Sequence, residues 1–435
     1  LTIDVKTPGT LEFALDAADK DFLVNVKQLK VSGKLNGDDI ITLRTMSGSE
    51  DDEESGVYYG ALRNLDMSEA QIVEGGESYN KDYNFSIGDY VYFSTANDVV
   101  GDYMFNNCSR LETIILPQYT KSIGKEALSY CKNLTSVTLP EKAELTIGEA
   151  SFSNCSSLRQ IVFPSNTVSI GDLAFNYCSS LKNVICRSTT PPDVYYSSEW
   201  ENAFAGTNNT YLKVYVPAGS SALYMAKQGW NQFSVCEYSA DAVIGQKLDH
   251  ISISLSEAGT FDKTLHYTYP DQEFNIKSLK ISGPINGTDI SFIRGLSSVG
   301  KVATLDLSDA QIKAGGSAYY YNYVCNYGTK DDEITKFMFN SCYNLRKLTL
   351  PATVAAIDVP GTFPDSLSTI VVPAANTHYH DHAGALYSTA DATLRFCPVN
   401  REPGTLSVEE GTIAIADSAL YSNNSVTAIE LPKSL

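Results

Sequence analysis

The sequence predicts an α/β solenoid built from stacked coils of about 23 residues that share a parallel β-sheet along one side. Two observations support this prediction: a short motif recurs four times in fixed register, and a longer stretch of the chain recurs once. One repeat of this size cannot bury its apolar face alone, whereas stacking on its neighbours gives one continuous core.

The short repeat lies between residues 100 and 186. One unit reads IGKEALSYCKNLTSVTLP from Ile123, and IGEASFSNCSSLRQIVFP from Ile147 follows it. Three positions keep steps of 23 or 24 residues over four units: Phe105, Leu128, Phe152 and Phe175; Cys108, Cys131, Cys155 and Cys178; and Leu111, Leu134, Leu158 and Leu181.

Each unit has two parts. The run Leu134-x-x-Val137-x-Leu139 ends with the alternation of a short strand, and Pro140 ends it because proline lacks the N–H of a further ladder bond. The Ile-Gly start of a unit, as at Gly124, predicts a tight turn because glycine tolerates positive φ. The Ala-Phe or Ala-Leu pair that follows is predicted to lie on a short helical or 3₁₀ segment.

The nine cysteines are too few for a disulfide scaffold, and their odd number leaves at least one thiol unpaired within the chain. The repeated cysteines allow two interpretations, a disulfide or metal ladder and a column of small buried thiols. Neighbouring parallel strands lie about 4.8 Å apart, whereas disulfides need Cβ atoms about 3.8 Å apart. We therefore predict that Cys108, Cys131, Cys155 and Cys178 are free and buried.

The longer repeat makes the chain a tandem duplication. LKVSGKLNGDDI, ending at Ile40, matches LKISGPINGTDI, ending at Ile290, and LDMSEAQI from Leu65 matches LDLSDAQI from Leu305. Each opening section predicts strand, helix, strand, helix and strand, with the Asp residues of GDDIITLRTM suited to an N-cap. Such an atypical section is what covers the end of a solenoid.

The predicted organisation is therefore two modules, residues 1–245 and 246–435. In the first module, residues 1–99 form a cap with a Tyr-rich insertion, 100–186 form the regular repeats, and 187–238 form a closing segment.

The closing segment predicts a final strand over Leu212–Val216, a helix from about Ser220, and Trp230 as the residue that covers the exposed core. Residues 237–249 are predicted to be a short connection. The second module reaches Leu435 without a closing segment, so we expect the natural protein to continue. Because an initiator Met and a charged and apolar leader are absent, we expect a mature or engineered fragment from which a targeting segment has been removed.

The units of residues 100–186 resemble the BspA-type leucine-rich repeat family, as do STTPP and VYVPAGSSALYMAKQGWNQF in the closing segment. HAGALYSTADATLRFCP in the second module is similar to a variant rung of that family. The resemblance covers nearly the whole chain. It implies a right-handed leucine-rich-repeat solenoid and a secreted or surface-anchored bacterial protein, often one implicated in adhesion, without shared catalytic residues. Pro364 and Asn423 depart from the pattern because they stand at the Cys position.

Composition excludes several classes of protein. Lys and Arg number 32 against 51 Asp and Glu, a formal net charge of −19, which repels nucleic-acid phosphates and anionic lipid headgroups. No apolar run reaches the length of about 18 residues that a membrane-spanning helix needs. Phosphate-binding glycine loops, Gly-x-Ser-x-Gly and His-Glu-x-x-His are absent. We predict no catalytic residue, no metal and no cofactor.

Two clusters of side chains that can bind metal ions are candidate ion sites. His378, His380 and His382 would share one face of an extended segment, as a transition-metal site requires. Their position between rungs, flanked by Pro and Asn, favours a mobile solvated loop. The acidic run Glu50–Glu54 lacks the glycine and the ligand spacing of a calcium loop, and it also favours a solvated loop.

Tyrosine supplies the candidate binding residues, since 27 are present and they cluster where each module leaves its cap and after Pro191-Pro192. Rigid amphipathic rings on loops suit protein or glycan recognition. The competing interpretation, which the sequence alone favours at the caps, is that the rings pad an irregular first rung. The candidate ligand-binding residues are Tyr79, Tyr83, Tyr195, Tyr196, Trp200, Tyr319, Tyr320, Tyr321 and Tyr323.

The predicted function is that of a non-enzymatic, extracellular cell-surface protein for binding or adhesion, which recognises a host protein or a surface polymer. Solenoids present extended faces suited to this task. The alternatives are a glycan-capturing surface component of nutrient uptake and a structural stalk. The expected partner is a host or cell-surface protein or glycan; nucleic acid and a membrane-spanning segment are not expected.

Overall fold

The computed structural model describes residues 1–49, 60–84, 86–195, 202–207, 212–321 and 325–435. These residues form two compact units, Leu1–Ala240 and Asp241–Leu435, here called module 1 and module 2. The boundary lies inside the segment 237–249, for which the sequence predicts a connection. The acidic run Glu50–Glu54 lies outside the described residues.

Module 1 opens with strands and helices and continues with short strands. Its helices are α1 (Leu11–Ala18), α2 (Phe22–Asn25), α3 (Gly37–Met46) and α4 (Ser221–Ala226). Its strands are β1 (Thr2–Val5), β2 (Gln28–Leu35), β3 (Asn64–Ile72), β4 (Asn80–Asn84), β5 (Asp89–Phe93), β6 (Val99–Val100), β7 (Thr113–Ile115), β8 (Ser122–Ile123), β9 (Ser136–Thr138), β10 (Leu145–Ile147), β11 (Gln160–Phe163), β12 (Thr167–Ile170), β13 (Asn183–Cys186), β14 (Asp193–Val194), β15 (Lys213–Pro217) and β16 (Ser234–Tyr238).

Module 2 opens with a similar order of elements, with one helix between its first two strands where module 1 has two. Its helices are α5 (Phe261–Thr268) and α6 (Gly287–Ser298). Its strands are β17 (His250–Ser254), β18 (Ser278–Ile285), β19 (Thr304–Asp306), β20 (Ala310–Ile312), β21 (Gly315–Tyr321), β22 (Asn326–Thr329), β23 (Glu333–Ile334), β24 (Lys347–Thr349), β25 (Ala356–Ile357), β26 (Thr369–Val371), β27 (Tyr379–His382), β28 (Ala385–Ser388), β29 (Thr393–Phe396), β30 (Gly404–Ser407), β31 (Ala414–Ile415) and β32 (Val426–Glu430).

The helices α3 and α6 each begin with a capping box. The side chain of Asn36 accepts the N–H of Asp38 at 3.1 Å, and the Asp39 carboxylate accepts the N–H of Asn36 at 2.9 Å. Asn286 and Asp289 repeat this arrangement in module 2. The N-cap is therefore the Asn before the predicted Asp residues, because its side chain reaches the first free N–H groups of the helix.

Each regular rung of module 1 contributes a strand to each of two parallel sheets. One side holds sheets with the orders β1-β2-β3-β7-β9 and β11-β13-β15-β16, and the second side holds β14-β12-β10-β8-β6. The parallel sheet along one side agrees with the sequence prediction, and the sheet on the second side was not predicted. Ile123, Ile147 and Ile170 end strands of the second sheet and pair with one another across it. Strands of two to four residues are too short to show an alternating pattern.

The glycine after each of these isoleucines has a role other than the predicted one. Gly124 and Gly148 do not lie in the positive-φ region. A Cβ on Gly124 would lie 2.6 Å from the backbone nitrogen of Asp102, and a Cβ on Gly148 would lie 2.8 Å from the carbonyl carbon of Gly124. Glycine is required here because successive rungs approach each other too closely for a side chain.

The segment that joins the two strands of a rung is not the predicted helix. Within the described part of the repeats, non-glycine residues with positive φ recur twice in each segment: Tyr103 and Asn107, Glu126 and Tyr130, Ala150 and Asn154, and Leu173 and Tyr177. The left-handed region costs such residues about 1–2 kcal/mol each. The Ala-Phe pair predicts a short helical segment, but packing between rungs imposes a backbone that contains left-handed residues.

Hydrogen bonds between rungs explain this unusual backbone. The N–H groups of Tyr103 and Phe105 donate to the carbonyls of Lys125 and Ala127 in the next rung at 2.9 and 2.6 Å. The intervening Met104 N–H donates back within its own rung at 3.2 Å. Alternate N–H groups therefore bond to the next rung and to their own, which leaves no run of buried donors unpaired in the segment.

Apolar side chains at equivalent positions stack along the interior. The rings of Phe152 and Phe175 are parallel within 4° with centroids 5.1 Å apart, and Phe204 continues the stack at 5.4 Å from Phe175. The prediction that successive coils share one interior is confirmed. The closing segment ends this core with β15, α4 and a fully buried Trp230, which lies against Phe204 and donates from its indole N–H to the Pro192 carbonyl at 2.9 Å.

Module 2 has its own sheets and its own core. Its main parallel sheet has the order β17-β18-β19-β24-β26, and β20 also pairs with β18. The later sheets are β23-β25, β27-β28-β29-β31 and β30-β32. Residues from Ile251 to Leu386 form the main core, and a smaller cluster from Ala385 to Ala419 lies under the last strands.

Close rung packing predicts that Gly148→Ala destabilises module 1 by at least about 2 kcal/mol, because the added methyl group has to push backbone atoms apart. Thermal unfolding followed by circular dichroism measures the effect. The control is Gly295→Ala in α6, where a Cβ meets no atom within 4 Å. That change should raise stability by about 0.5–1 kcal/mol. Equal effects of the two substitutions would contradict the packing argument.

Candidate functional site

The tyrosine clusters of the two caps form an antiparallel hairpin in each module. β4 pairs with β5, and β21 pairs with β22. Gly75 and Gly76 precede the first hairpin, and Gly315 and Gly316 begin the second; all four have positive φ. A Cβ on Gly76 would lie 2.9 Å from Oδ1 of the capping Asn36, so the double glycine lets the chain cross the start of α3.

Tyr79 and Tyr319 are structural residues rather than ligand-binding residues, which corrects the sequence prediction. Each is only 5% exposed. The Tyr79 hydroxyl donates to the carbonyl of Asp102 at 2.9 Å, and the Tyr319 hydroxyl donates to the carbonyl of Lys336 at 2.9 Å. Burial raises the pKa of both phenols. Neither ring offers a face to a partner.

These hydroxyls replace hydrogen bonds that the first rung of each module lacks. Inside the stack, the carbonyl of Lys125 accepts an N–H from the preceding rung. Asp102 stands at the same place one repeat earlier, where no rung precedes it, and Tyr79 supplies the missing donor. The tyrosine thus completes the end of the stack, as buried carbonyl groups require.

Arg44 and Arg294 perform the same task, and the sequence analysis missed them. Arg44 donates from Nη1 to the carbonyls of Tyr103 and Met104 at 2.8 and 2.9 Å. Arg294 donates to the carbonyls of Phe337 and Met338 in module 2. The available signal was their equivalent place in the duplicated helices, four residues after the matched isoleucines.

The outward face of the first hairpin carries exposed tyrosines. Lys81 lies opposite Tyr92, and Tyr83 lies opposite Tyr90, so all four side chains share one face of the hairpin. Tyr83, Tyr90 and Tyr92 are 40%, 46% and 62% exposed. The rings of Tyr83 and Tyr90 meet edge to face with centroids 5.3 Å apart, and Lys81 Nζ lies 4.9 Å from the Tyr90 centroid. We call these four residues the tyrosine face.

The other face of this hairpin holds it to the rung. Phe93 packs against Tyr103 with ring centroids 4.8 Å apart. Asn80, which lies opposite Phe93, donates from its amide to the carbonyl of Tyr103 at 3.2 Å. A two-stranded hairpin alone is marginally stable in water, so this contact is what fixes the tyrosine face in place.

In the second hairpin the paired tyrosines pack inwards against the first rung of module 2. Tyr320 and Tyr327 lie opposite each other and pack on Phe337 with ring centroids at 4.5 and 4.9 Å. Tyr320 therefore pads the first rung of module 2, as the competing interpretation predicted. Tyr321 is 65% exposed, and Tyr323 lies outside the described residues.

The insertion after Pro191-Pro192 is described only in part. Tyr195 is exposed, and its N–H donates to the carbonyl of Ile170 at 2.9 Å, which ties it to the preceding rung. Tyr196 and Trp200 lie outside the described residues. The predicted aromatic patch at this place therefore stays a prediction.

The repeated cysteines form a buried column. Cys108, Cys131, Cys155 and Cys178 are free and fully buried, so their prediction is confirmed. The thiols of the last three donate at 3.2 Å to the carbonyls of Phe105, Leu128 and Phe152 in the preceding rung.

Burial raises the pKa of Cys108 and of Cys178 to about 12. At Asn423, which takes the Cys position in module 2, the amide donates to the carbonyls of Cys397 and Pro398 at 3.1 and 2.9 Å. At this position the amide of Asn423 thus donates as the repeated thiols do, whereas Pro364 supplies no such donor.

The histidine segment of module 2 is ordered, so the predicted mobile loop is wrong for His380 and His382. Both lie in β27, which pairs with β28. Nε2 of His380 lies 2.5 Å from Oε2 of Glu409, and its ring stacks on Tyr387 with centroids 5.5 Å apart. Among the residues described by the structure, no group of three or more His, Cys, Asp or Glu side chains is arranged to hold a metal.

One buried histidine serves the cap of module 2. Nε2 of His266 lies 3.1 Å from Glu273, and Nδ1 lies 2.8 Å from Asp262. Burial acts to lower the pKa of His266, but the hydrogen bonds that its ring donates to the two carboxylates outweigh burial and raise the pKa to about 9. The side chain is enclosed by its own partners, so we assign it a structural role.

The repeats of both modules match a known protein family. The family model for the BspA type leucine rich repeat region matches six copies over residues 83–219 and 297–384, just over half of the chain. The chain belongs to this family. The predicted resemblance and the α/β leucine-rich-repeat solenoid are thereby confirmed. A BspA-type match indicates a repeat protein, and it indicates no catalytic family.

Three solved structures are similar to this BspA-type chain. A leucine-rich repeat protein from Eubacterium ventriosum is 13% identical with a TM-score of 0.23, over 64% of this chain and 49% of that protein. A leucine rich cell surface protein from Faecalibacterium prausnitzii is 13% identical with a TM-score of 0.20, over 86% and 84%. A leucine-rich repeat protein from Bacteroides ovatus is 15% identical with a TM-score of 0.20, over 85% and 84%.

The BspA-type chain spans about half the length of the Eubacterium protein. No curated protein matches it in sequence. In the part of the chain that the structure describes, no helix has the length and apolar character needed to cross a membrane; α6 has 12 residues.

The end-of-stack role of Tyr79 predicts that Tyr79→Phe lowers the free energy of unfolding of module 1 by about 1 kcal/mol, because the Asp102 carbonyl loses its donor. Urea titration followed by tryptophan fluorescence measures the change, since both tryptophans lie in module 1. Tyr92→Phe removes an exposed hydroxyl and should have no measurable effect. The assignment is wrong if the two variants unfold alike.

Burial of the repeated cysteines predicts that their thiols react slowly with alkylating reagents in the native protein. Near pH 8 a maleimide should leave Cys108, Cys131, Cys155 and Cys178 unmodified in the native protein, because burial keeps them protonated and inaccessible. The same thiols should react rapidly in guanidinium, as peptide mass spectrometry will show. Cys325, which is exposed, is the internal control that reagent and conditions are effective. Rapid native labelling of the four thiols would refute a closed interior.

Proposed function

We propose that this chain is a non-enzymatic, extracellular binding protein of the cell surface that adheres to a host protein or surface polymer. The tyrosine face of module 1 is the surface that makes the contact. Membership of the BspA-type family supports a binding role. The single observation that carries the proposal is the arrangement of three exposed tyrosines and Lys81 on one outward face of a hairpin.

The tyrosine face has the chemistry of a protein-binding surface. Tyrosine buries a large area on binding and loses little side-chain entropy, and its hydroxyl keeps the free surface wetted. Ile87, in the turn of the hairpin, is 65% exposed and extends the apolar area. Contacts on the inner face through Phe93 hold the backbone before a partner arrives, which lowers the entropy cost of binding.

The net negative charge of the chain restricts the kind of partner surface that it attracts. The chain has a formal net charge of −19, so long-range attraction favours a neutral or basic partner surface over an acidic one. Within the tyrosine face the only formal charge is Lys81, and it lies over the Tyr90 ring. The contact itself therefore depends on apolar and hydrogen-bonding area, with electrostatics acting on the rate of encounter.

A protein partner fits this face better than a stacked sugar. The planes of Tyr83 and Tyr90 meet at 75°, so these two rings do not form one flat platform. A protein surface adapts to such a corner by packing side chains on both rings. Glycan capture for nutrient uptake and a purely structural stalk are the alternatives that the same experiment separates.

The test replaces Tyr83, Tyr90 and Tyr92 together with Ser and measures binding to immobilised extracellular-matrix proteins and to a glycan array. We expect at least one matrix protein to bind the unchanged chain and the triple variant to bind it about tenfold more weakly or worse, because such rings are typical hot spots. Circular dichroism should show an unchanged fold, since the three rings are exposed.

The matched control replaces three exposed tyrosines of module 2, Tyr267, Tyr343 and Tyr421, with Ser. This variant should retain binding. Equal binding by both triple variants would refute the tyrosine face as the contact. Binding to glycans alone would establish the glycan-capturing alternative, and binding to neither panel would support the stalk.

A further inference from the structure

A second surface of module 1, separate from the tyrosine face, forms a groove of about 580 Å³. It lies at the rim where the chain leaves β7 and β9, and its floor is the second half of β3. The residues that define its chemistry are Glu69, Ala70, Gln71, Asp98, Tyr119 and Lys142. Ala70, in this floor, is buried.

The acids of the groove are already paired with cations. Glu69 Oε1 lies 2.6 Å from Lys30 Nζ, and Asp98 Oδ2 lies 3.3 Å from Lys121 Nζ. The Gln71 amide donates to Asp98 Oδ1 at 3.0 Å. Each carboxylate oxygen has more than one acceptor site, so capacity for further hydrogen bonds remains after the charges are balanced. The lining therefore suits a ligand rich in hydroxyl groups and without net charge.

Tyr119 supplies the one aromatic surface of this lining. It is 55% exposed, and Lys142 Nζ lies 4.9 Å from its ring centroid. A lysine over the face of a ring is attracted to it, which favours this position of the ring. The same ammonium disfavours a cationic ligand, and the neighbouring carboxylates disfavour an anionic one.

Module 2 provides an internal comparison. Its matching segment keeps the floor, with Asp309, Ala310 and Gln311 in place of Glu69, Ala70 and Gln71. At the position of Tyr119 it has Thr353, whose hydroxyl donates to Asp332 at 2.6 Å. The aromatic ring is therefore not needed to build this rim, and its presence in module 1 calls for a separate reason.

We propose that the groove of module 1 binds a neutral saccharide. One sugar ring stacks on Tyr119, and its hydroxyls hydrogen-bond to Gln71 and to the carboxylates of Glu69 and Asp98. A peptide side chain fits less well, because the lining offers Ala70 and a single ring as its apolar surface. This site is independent of the tyrosine face, so either proposal can fail without the other.

The experiment uses the full chain and three neutral probes, maltotetraose, cellotetraose and mannotetraose. Saturation-transfer NMR detects contact and titration calorimetry gives the dissociation constant. We expect at least one probe to bind, with an affinity that hardly changes between low and high salt, as a neutral ligand requires. Tyr119→Thr, which installs the module 2 residue, should weaken binding about tenfold by loss of the stack.

Two further variants separate stacking from unspecific effects. Tyr119→Phe keeps the ring and should bind as the unchanged chain does. Tyr92→Ser, on the tyrosine face, should also bind normally. The proposal is overturned if no probe binds, if Tyr119→Thr binds as well as the unchanged chain, or if binding occurs only with charged oligosaccharides or with peptides.

Discussion

Registered stacking of successive rungs is the constraint on which the rest of this structure depends. Apolar rings such as Phe152 and Phe175 lie one above the other, and the N–H groups of each joining segment donate to the carbonyls of the next rung. Residues in strained positive-φ conformations persist because these bonds offset their cost. Glycine is required after the repeated isoleucine because the rungs are in backbone contact. The contacts that stabilise the stack therefore also fix the alignment of one rung with the next.

Backbone carbonyls in the first rung of a stack have no earlier rung to supply their hydrogen-bond donors. Both modules provide these donors in the same way. The carbonyls that would accept N–H groups from an earlier rung instead accept the Tyr79 hydroxyl and the Arg44 guanidinium, or Tyr319 and Arg294 in module 2. The hairpin that contains Tyr79 is thereby fixed to the stack. Its free face is then available to carry tyrosines, which connects the structural cap to the proposed binding function.

The repeat and the duplication were predictable because they leave periodic apolar positions in the sequence. The second sheet, the role of Gly124 and the joining segments were not, because strands of two to four residues show no alternation and contacts between rungs have no local signature. The tyrosines illustrate the same limit. Tyr79 and Tyr83 lie four residues apart in one aromatic cluster, yet one is buried and the other exposed. Tyr79 lies just before β4 and is buried where its hydroxyl bonds to the Asp102 carbonyl of the first rung, a contact that no local pattern predicts.

Hydrogen–deuterium exchange of backbone amides in the intact protein tests the central claim most directly. The joining segments at residues 101–110, 124–133, 148–157 and 171–180 contain no helix in the structure, so as ordinary surface turns they would exchange within seconds. If their N–H groups are bonded to neighbouring rungs, their exchange should be as slow as that of β11 and β13. Rapid exchange of these segments beside protected strands would contradict the account.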